Sequence, residues 1–173
     1  MGQLLATVPG TDLYVTRVIR LRKLELIVVS GQVTGELYID QVSFGGLTAN
    51  QVIGSATGNS PIPASGIVGF SGQIFSQFPN STNATPFIQT LCNQSVVTEC
   101  RFGLALTESG SGTLILGELD TSLYTGDLVV APIIEAWALT GDLAINGKVV
   151  INDLLIELDS GTATIVGYAT DYA

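Results

Sequence analysis

Between Gln32 and Thr57 the chain writes one strand, a break and a second strand. Val33, Gly35, Leu37 and Ile39 alternate with polar neighbours through Phe44, the period-two pattern of a half-buried strand. Gly45-Gly46 comes next as a hairpin turn, and Leu47 to Thr57 supplies the return strand with Val52 and Ile53 as its apolar residues. A chain so patterned folds around antiparallel pairing. Composition agrees: 46% hydrophobic residues, only 12% charged ones and 20 glycines suit many short strands joined by tight turns around one real core, and exclude a disordered chain.

The rest of the chain continues this pattern. Leu21 to Val29 can form a strand. Gly66-Ile67-Val68-Gly69-Phe70 reads as a short buried strand after a Pro/Ser loop over 58–65. Pro86 to Asn93 fits a short helix that opens on proline and gathers Phe87, Thr90 and Leu91 on one face. Arg101 to Leu106 and Thr113 to Leu116 are strands around a Ser-Gly-Ser-Gly turn, and Asp120-Thr121-Ser122 starts a tight turn. Strands are expected over Leu128–Ile134 and Trp137–Ile145. Asn146-Gly147 then turns the chain into Lys148–Ile151, and a last strand leads to Asp159. No repeat and no internal linker is evident, and Pro132 and Glu135 interrupt the longest apolar run well short of a membrane span.

Charge and residue usage narrow the chemistry. A net charge of −9 argues against nucleic acid as a partner. Arg17, Arg20, Arg22 and Lys23 are four of the six basic residues, so residues 1–29 differ in character from the remainder of the chain. That stretch is expected to pack poorly, over residues 1–24, against a β-rich body, the alternative being that Val15, Val18, Ile19 and Leu21 cover an exposed sheet edge. With no histidine, Ser-His-Asp and Cys-His nucleophile systems are excluded, and two cysteines make no structural zinc site. The sequence calls for no metal and no cofactor. Cys92 and Cys100 are expected to form a disulfide across a short turn-rich segment, the alternative being two buried thiols. Sequons at Asn80, Asn83 and Asn93 mark candidate glycosylation sites and an oxidising, secretory setting, although residues 1–10 lack the apolar region of a signal peptide.

The chemistry centres on Asp159-Ser160-Gly161-Thr162, entered directly from the apolar strand Leu154–Leu158. Gly161 lets the backbone turn, and Ser160 and Thr162 offer short hydroxyls to a carboxylate or to backbone groups. Asp-Ser-Gly is also a common strand-ending turn. A second carboxylate beside Asp159 is what would make it half of an acid/base pair.

Taken together, these motifs resemble the pepsin family of aspartic peptidases, and fungal secreted members most. Ser30-Gly31-Gln32-Val33-Thr34-Gly35 is similar to the end of that family's flap motif, and Gly66–Phe70 to its Gly-Ile-Leu-Gly-Leu strand. Pro86 to Leu106 resembles its helix, turn and strand, and Leu116-Gly117-Glu118-Leu119-Asp120 through Leu128 its Leu-Gly-Gly-x-Asp segment. Trp137 stands where a Trp is usual, and Asp159-Ser160-Gly161-Thr162 matches the second catalytic motif. The resemblance implies an all-β, partial pepsin-like β-barrel fold with one short helix. Residues 30–173 would be the end of one lobe and the start of the other, and residues 1–29 a non-matching stretch. It implies proteolysis of polypeptides by two aspartates that share a proton, with Asp159 as one of them. Ser160, Gly161 and Thr162 would support the loop, with Ser30 and Gly31 a remnant of the flap. It also implies a secreted or vacuolar location.

The departures shape the functional expectation. No other Asp-Thr-Gly or Asp-Ser-Gly occurs, and Val28-Val29 stand in place of the flap Tyr-Gly. The chain is therefore expected to be an inactive, truncated fragment of an aspartic endopeptidase, with Asp159 near the surface rather than in a deep cleft because its opposing loop is absent. The alternative is a binding or inhibitory protein on the same scaffold. A homodimer that pairs two Asp159 loops is a third arrangement, disfavoured because the chain carries pieces of both lobes.

Overall fold

The computed structural model describes residues 14–15, 19–28, 31–57, 66–70, 83–134, 137–160 and 164–167. They fall into two compact units, residues 1–125 and 126–173. Strands dominate both, with a single short helix, as expected of a partial pepsin-like all-β fold. Among the described residues the strands make one four-stranded sheet and two hairpins, and no barrel closes.

In the first unit, β3 (Gly31–Phe44) is the spine of the sheet. β4 (Leu47–Ala56) pairs along one side of it, from Phe44↔Leu47 to Gly35↔Ala56. β2 (Ile19–Val28) and the two-residue β1 (Tyr14–Val15) pair along the other. Gly45 and Gly46 take φ of 59° and 78°, the left-handed backbone that a tight hairpin demands and glycine supplies without penalty. Gly35 is required for a different reason: a Cβ there would stand 2.3 Å from the Ser55 carbonyl oxygen of the adjacent strand.

One face of β3–β4 carries the core. Val42 lies opposite Ala49 and Phe44 opposite Leu47, so all four project to the same side. Helix α1 (Phe87–Asn93) covers them with Phe87, Ile88 and Leu91, and the Phe44 and Phe87 rings meet edge to face at 6.1 Å. Fully burying such side chains contributes about 1.5–3 kcal/mol each, which stabilises a helix of only 7 residues that could not persist alone. Pro86 caps α1, where its missing N–H costs nothing, and its carbonyl accepts from the Thr90 amide at 3.0 Å. Gln94 lies just past α1 and fastens it to the sheet edge: its Oε1 accepts from the Asn50 amide at 3.0 Å and its Nε2 donates to the Asn50 carbonyl at 2.7 Å. The side chain thus acts as one residue of an added strand and covers an edge otherwise open to pairing.

β5 (Phe102–Leu106) and β6 (Gly112–Leu116) form a hairpin whose Phe102 and Leu116 pack on the same core. Gly117 comes next with φ 79°, and a Cβ there would collide with Val97 at 2.5 Å. In the second unit, β7 (Ala138–Ile145) and β8 (Lys148–Glu157) pair through the Asn146-Gly147 turn, with φ of 51° and 77°.

Three expectations change. Residues 19–24 do not stand apart, because they pair with β3 from Ile19↔Ile39 to Leu24↔Gly35, with a register shift between Arg20 and Arg22; residues 1–13 and 16–18 lie outside the described residues. Alternating β-patterned residues next to an open strand gain more from the ladder than clustered positive charge costs at an exposed edge. Gly66–Phe70 joins no ladder among the described residues: Val68 and Phe70 pack against the core while Ile67 is 69% exposed. Leu128–Ile134 forms no strand either, and all of it is exposed. Pro132 lacks a donor, and an apolar run becomes a strand only where a partner meets its backbone groups. The Pro/Ser loop at 58–65 and most of 71–85 lie outside the described residues.

Candidate active-site loop

Asp159 is placed by β8, two residues beyond its end at Glu157. The Leu158 amide donates to the Trp137 carbonyl at 3.1 Å, which carries the pairing one step past Ala138↔Glu157 and sets the direction in which the chain enters the loop. The Asn146-Gly147 turn and the β7–β8 register therefore fix where the carboxylate stands. Further along, Asp153 takes φ 56°, and its amide donates to Asp142 Oδ1 at 3.0 Å, beside the register shift between Gly141 and Leu143. A carboxylate acceptor in that position steadies a backbone conformation that a non-glycine residue otherwise avoids.

Asp159 and Ser160 are both exposed. Gly161 and Thr162 lie outside the described residues, as do Ser30 and Asn80. Gly31 opens β3 opposite Val28, so Ser30 falls between two paired strands in the sequence. Gly31 belongs to the first unit and Asp159 to the second. Among the described residues no group of three or more His, Cys, Asp or Glu side chains is arranged to hold a metal ion.

Cys92 and Cys100 form a disulfide with a Cα–Cα separation of 5.5 Å, which ties the end of α1 to the entrance of β5. Asn83 is exposed with φ 49°, and Asn93 is exposed as the last residue of α1, its Oδ1 accepting from Gln89 Nε2 at 2.9 Å. Two polar residues escaped the sequence reading. Asp40 and Gln51 lie opposite each other on the core face of β3–β4, 2% and 8% exposed. Asp40 Oδ1 accepts from the Gln41 amide at 2.7 Å, and Gln51 Nε2 donates to the Thr85 carbonyl at 2.9 Å. The signal was available, since Asp40 stands in phase with Val42 and Phe44.

Comparison with known proteins places the chain. Residues 21–173 match the model of the family described as "Eukaryotic aspartyl protease". The chain belongs to that family. It is 32% identical to Pepsin A of Bos taurus over 155 residues, which is 82% of this chain and 40% of the pepsin. It is 29% identical to Pepsin A of Rhinolophus ferrumequinum over 156 residues, 84% of this chain and 40% of that protein. A third relative, "Probable inactive secreted aspartyl protease" of Malassezia globosa, is 31% identical over 146 residues, 77% of this chain and 35% of its own length. The chain thus spans about 40% of the length of the pepsins it matches. The match starts at residue 21, ahead of the Ser30 at which the motif resemblance starts, and takes in most of β2.

Proposed function

We propose that these residues are part of an aspartic endopeptidase scaffold and carry one carboxylate of its catalytic pair, Asp159. The observation behind this is Asp159-Ser160-Gly161-Thr162 standing directly after β8 in a chain matched to the family from residue 21 to 173. In this reading the first unit is the end of one lobe and the second the opening of the other. The pair would work by sharing one proton, since two adjacent carboxylates resist double ionisation. The ionised member takes a proton from water, the water oxygen attacks the peptide carbonyl carbon, and the protonated member donates to the carbonyl oxygen. Ser160, Gly161 and Thr162 hold the loop, and the substrate is a polypeptide. Residues 1–173 contain one such loop, so by themselves they hydrolyse no peptide; a second Asp-Thr/Ser-Gly has to come from elsewhere.

A second reading is a non-catalytic binding or inhibitory protein, favoured by the Malassezia globosa relative whose name calls it probably inactive. That relative's name also includes the word secreted. With the disulfide and the sequons it supports a secretory route, on which Asn80, Asn83 and Asn93 meet the glycosylation machinery.

The test is acid-pH digestion of denatured protein by the purified chain. No pepstatin-sensitive cleavage is expected. Cleavage abolished by Asp159→Asn would overturn the inactive state and point to two chains pairing their Asp159 loops.

A further inference from the structure

We infer that two of the sequons are used unequally: Asn83 carries a glycan, whereas Asn93 is withheld from glycosylation by closure of the Cys92–Cys100 bridge. This rests on the secretory route proposed above and adds a regulation to it.

Asparagine acceptors belong to surface segments that can be presented in extended form. Asn93-Gln94-Ser95 is instead the locked end of a helix. The Gln94 amide donates to the Thr90 carbonyl at 3.1 Å, the Ser95 amide to Cys92 at 3.0 Å and the Val96 amide to Leu91 at 2.9 Å. Ser95 is held at φ 55°, and both ends of the Gln94 side-chain amide are engaged by Asn50. Extending the sequon would unwind α1 at Leu91, which is wholly buried. The disulfide adds a covalent lock, because Cys92 adjoins Asn93 and Cys100 closes the loop around the whole sequon. Cys100 also leaves the ribosome only about a second after Asn93 at ordinary synthesis rates, so the lock can form while the sequon is still presented. Asn83 is exposed and lies outside this loop and outside any helix; Ala84 is buried and the Thr85 carbonyl accepts from Gln51 Nε2 at 2.9 Å, but no covalent bond closes around this sequon, which is what separates the two sites.

The transferred group is an oligosaccharide carried on a polyprenyl pyrophosphate. The bond from its anomeric carbon to the phosphate oxygen breaks, and the pyrophosphate leaves with the electron pair. A bond from that carbon to Asn83 Nδ2 forms, and the amide nitrogen gives up one proton to a base of the transferase.

The experiment uses the full chain behind a secretion leader in an Asn80→Gln background, translated into microsomes under oxidising or reducing conditions, with occupancy read by glycopeptide mass spectrometry. Oxidising conditions should give one glycan, at Asn83. Reducing conditions should add a second, at Asn93, and Cys100→Ser should carry both under either condition. The reducing arm opens the bridge with both cysteines in place, so the test does not rest on the folding of the Cys100→Ser variant alone. Asn93 occupied with the bridge closed, Asn93 bare in Cys100→Ser, or Asn83 bare throughout would overturn the inference. Chain isolated from its own cells tests the underlying route separately. Free thiols and no glycan on any sequon there would remove the secretory reading, and the inference with it.

Discussion

Val42 and Ala49 face each other across β3–β4 at 5% and 3% exposure, while Ile145 and Val149, at the turn end of β7–β8, stand at 54% and 45%. Both hairpins arise from apolar alternation and a glycine-containing turn. They differ in what covers them. α1, β5–β6 and Val68 and Phe70 converge on the first, each touching the same small cluster. In the second unit Ala138 is the sole buried residue among those described, and Leu155 and Leu158 on β8 and just after it are more than half exposed. Alternation thus decides that a strand forms and which face is apolar, but burial is a property of what else the chain brings to that face. A two-stranded hairpin alone is marginal in water, so the two units should differ in stability as they differ in covering.

The largest test of that contrast is one deletion made in both places. Leu91→Ala removes a side chain with no exposed surface from the centre of the first core and should cost about 2–5 kcal/mol. Leu155→Ala removes the same atoms from a position 56% exposed and should change stability by less than about 0.5 kcal/mol. Denaturant titration of both variants checks this. Equal losses would mean that the β7–β8 face is covered in solution.

Next in size is the bridge. Cys92→Ser with Cys100→Ser releases an 8-residue separation, and loop-closure entropy puts the loss at about 2–3 kcal/mol. The effect should stay within the first unit: amides of α1 and β5 should exchange faster with solvent, and those of β7 and β8 should not change. Faster exchange in β7–β8 would break the separation of the two units.

Much of the first unit was legible in its sequence. The β3–β4 hairpin, the Phe87–Asn93 helix with its buried face, the Ser-Gly-Ser-Gly turn and the disulfide all rest on interactions between near neighbours in the chain. What misled was apolar content without a visible partner. Leu128–Ile134 and Gly66–Phe70 have strand-forming composition, yet a ladder needs backbone groups from another segment, and residue-by-residue reading does not supply them. At residues 19–24 the edge-covering alternative is the one that forms, because an open strand of β3 recruited a segment whose charges argued against packing. At the candidate site, Asp159 stood out by motif, and its exposure was legible as well: whether a carboxylate loop is desolvated depends on what lies across from it, and no second Asp-Thr/Ser-Gly loop is present in the sequence to do so.

The smallest effect expected concerns the turn that closes the first unit. The Asp120 carboxylate caps the 3-10 turn Thr121–Leu123 by accepting from Ser122 Oγ at 2.6 Å and from the Ser122 amide at 2.9 Å. The hydroxyl bond is the larger cause and the amide bond the lesser in holding its pKa below the ordinary 3.8. Both bonds favour the ionised form, so the folded state binds the proton less readily than the unfolded chain does. The stabilisation is therefore present in full above the unfolded value and is lost as pH falls through the lowered folded value. Because Asp120 lies at the surface and is only partly covered, salt and water screen the effect, and it should be visible as a titration shift rather than as a large change in unfolding. Ser122→Ala removes the stronger of the two bonds and should raise the Asp120 midpoint toward 3.8, read from the carboxyl carbon resonance across an acid titration. The stability gap between this variant and the parent should be widest at neutral pH and should close as the solution is acidified below the carboxylate range. An unmoved midpoint, or a gap that widens in acid, would mean that the hydroxyl does not hold the carboxylate in solution and that the turn is kept by its backbone bonds alone.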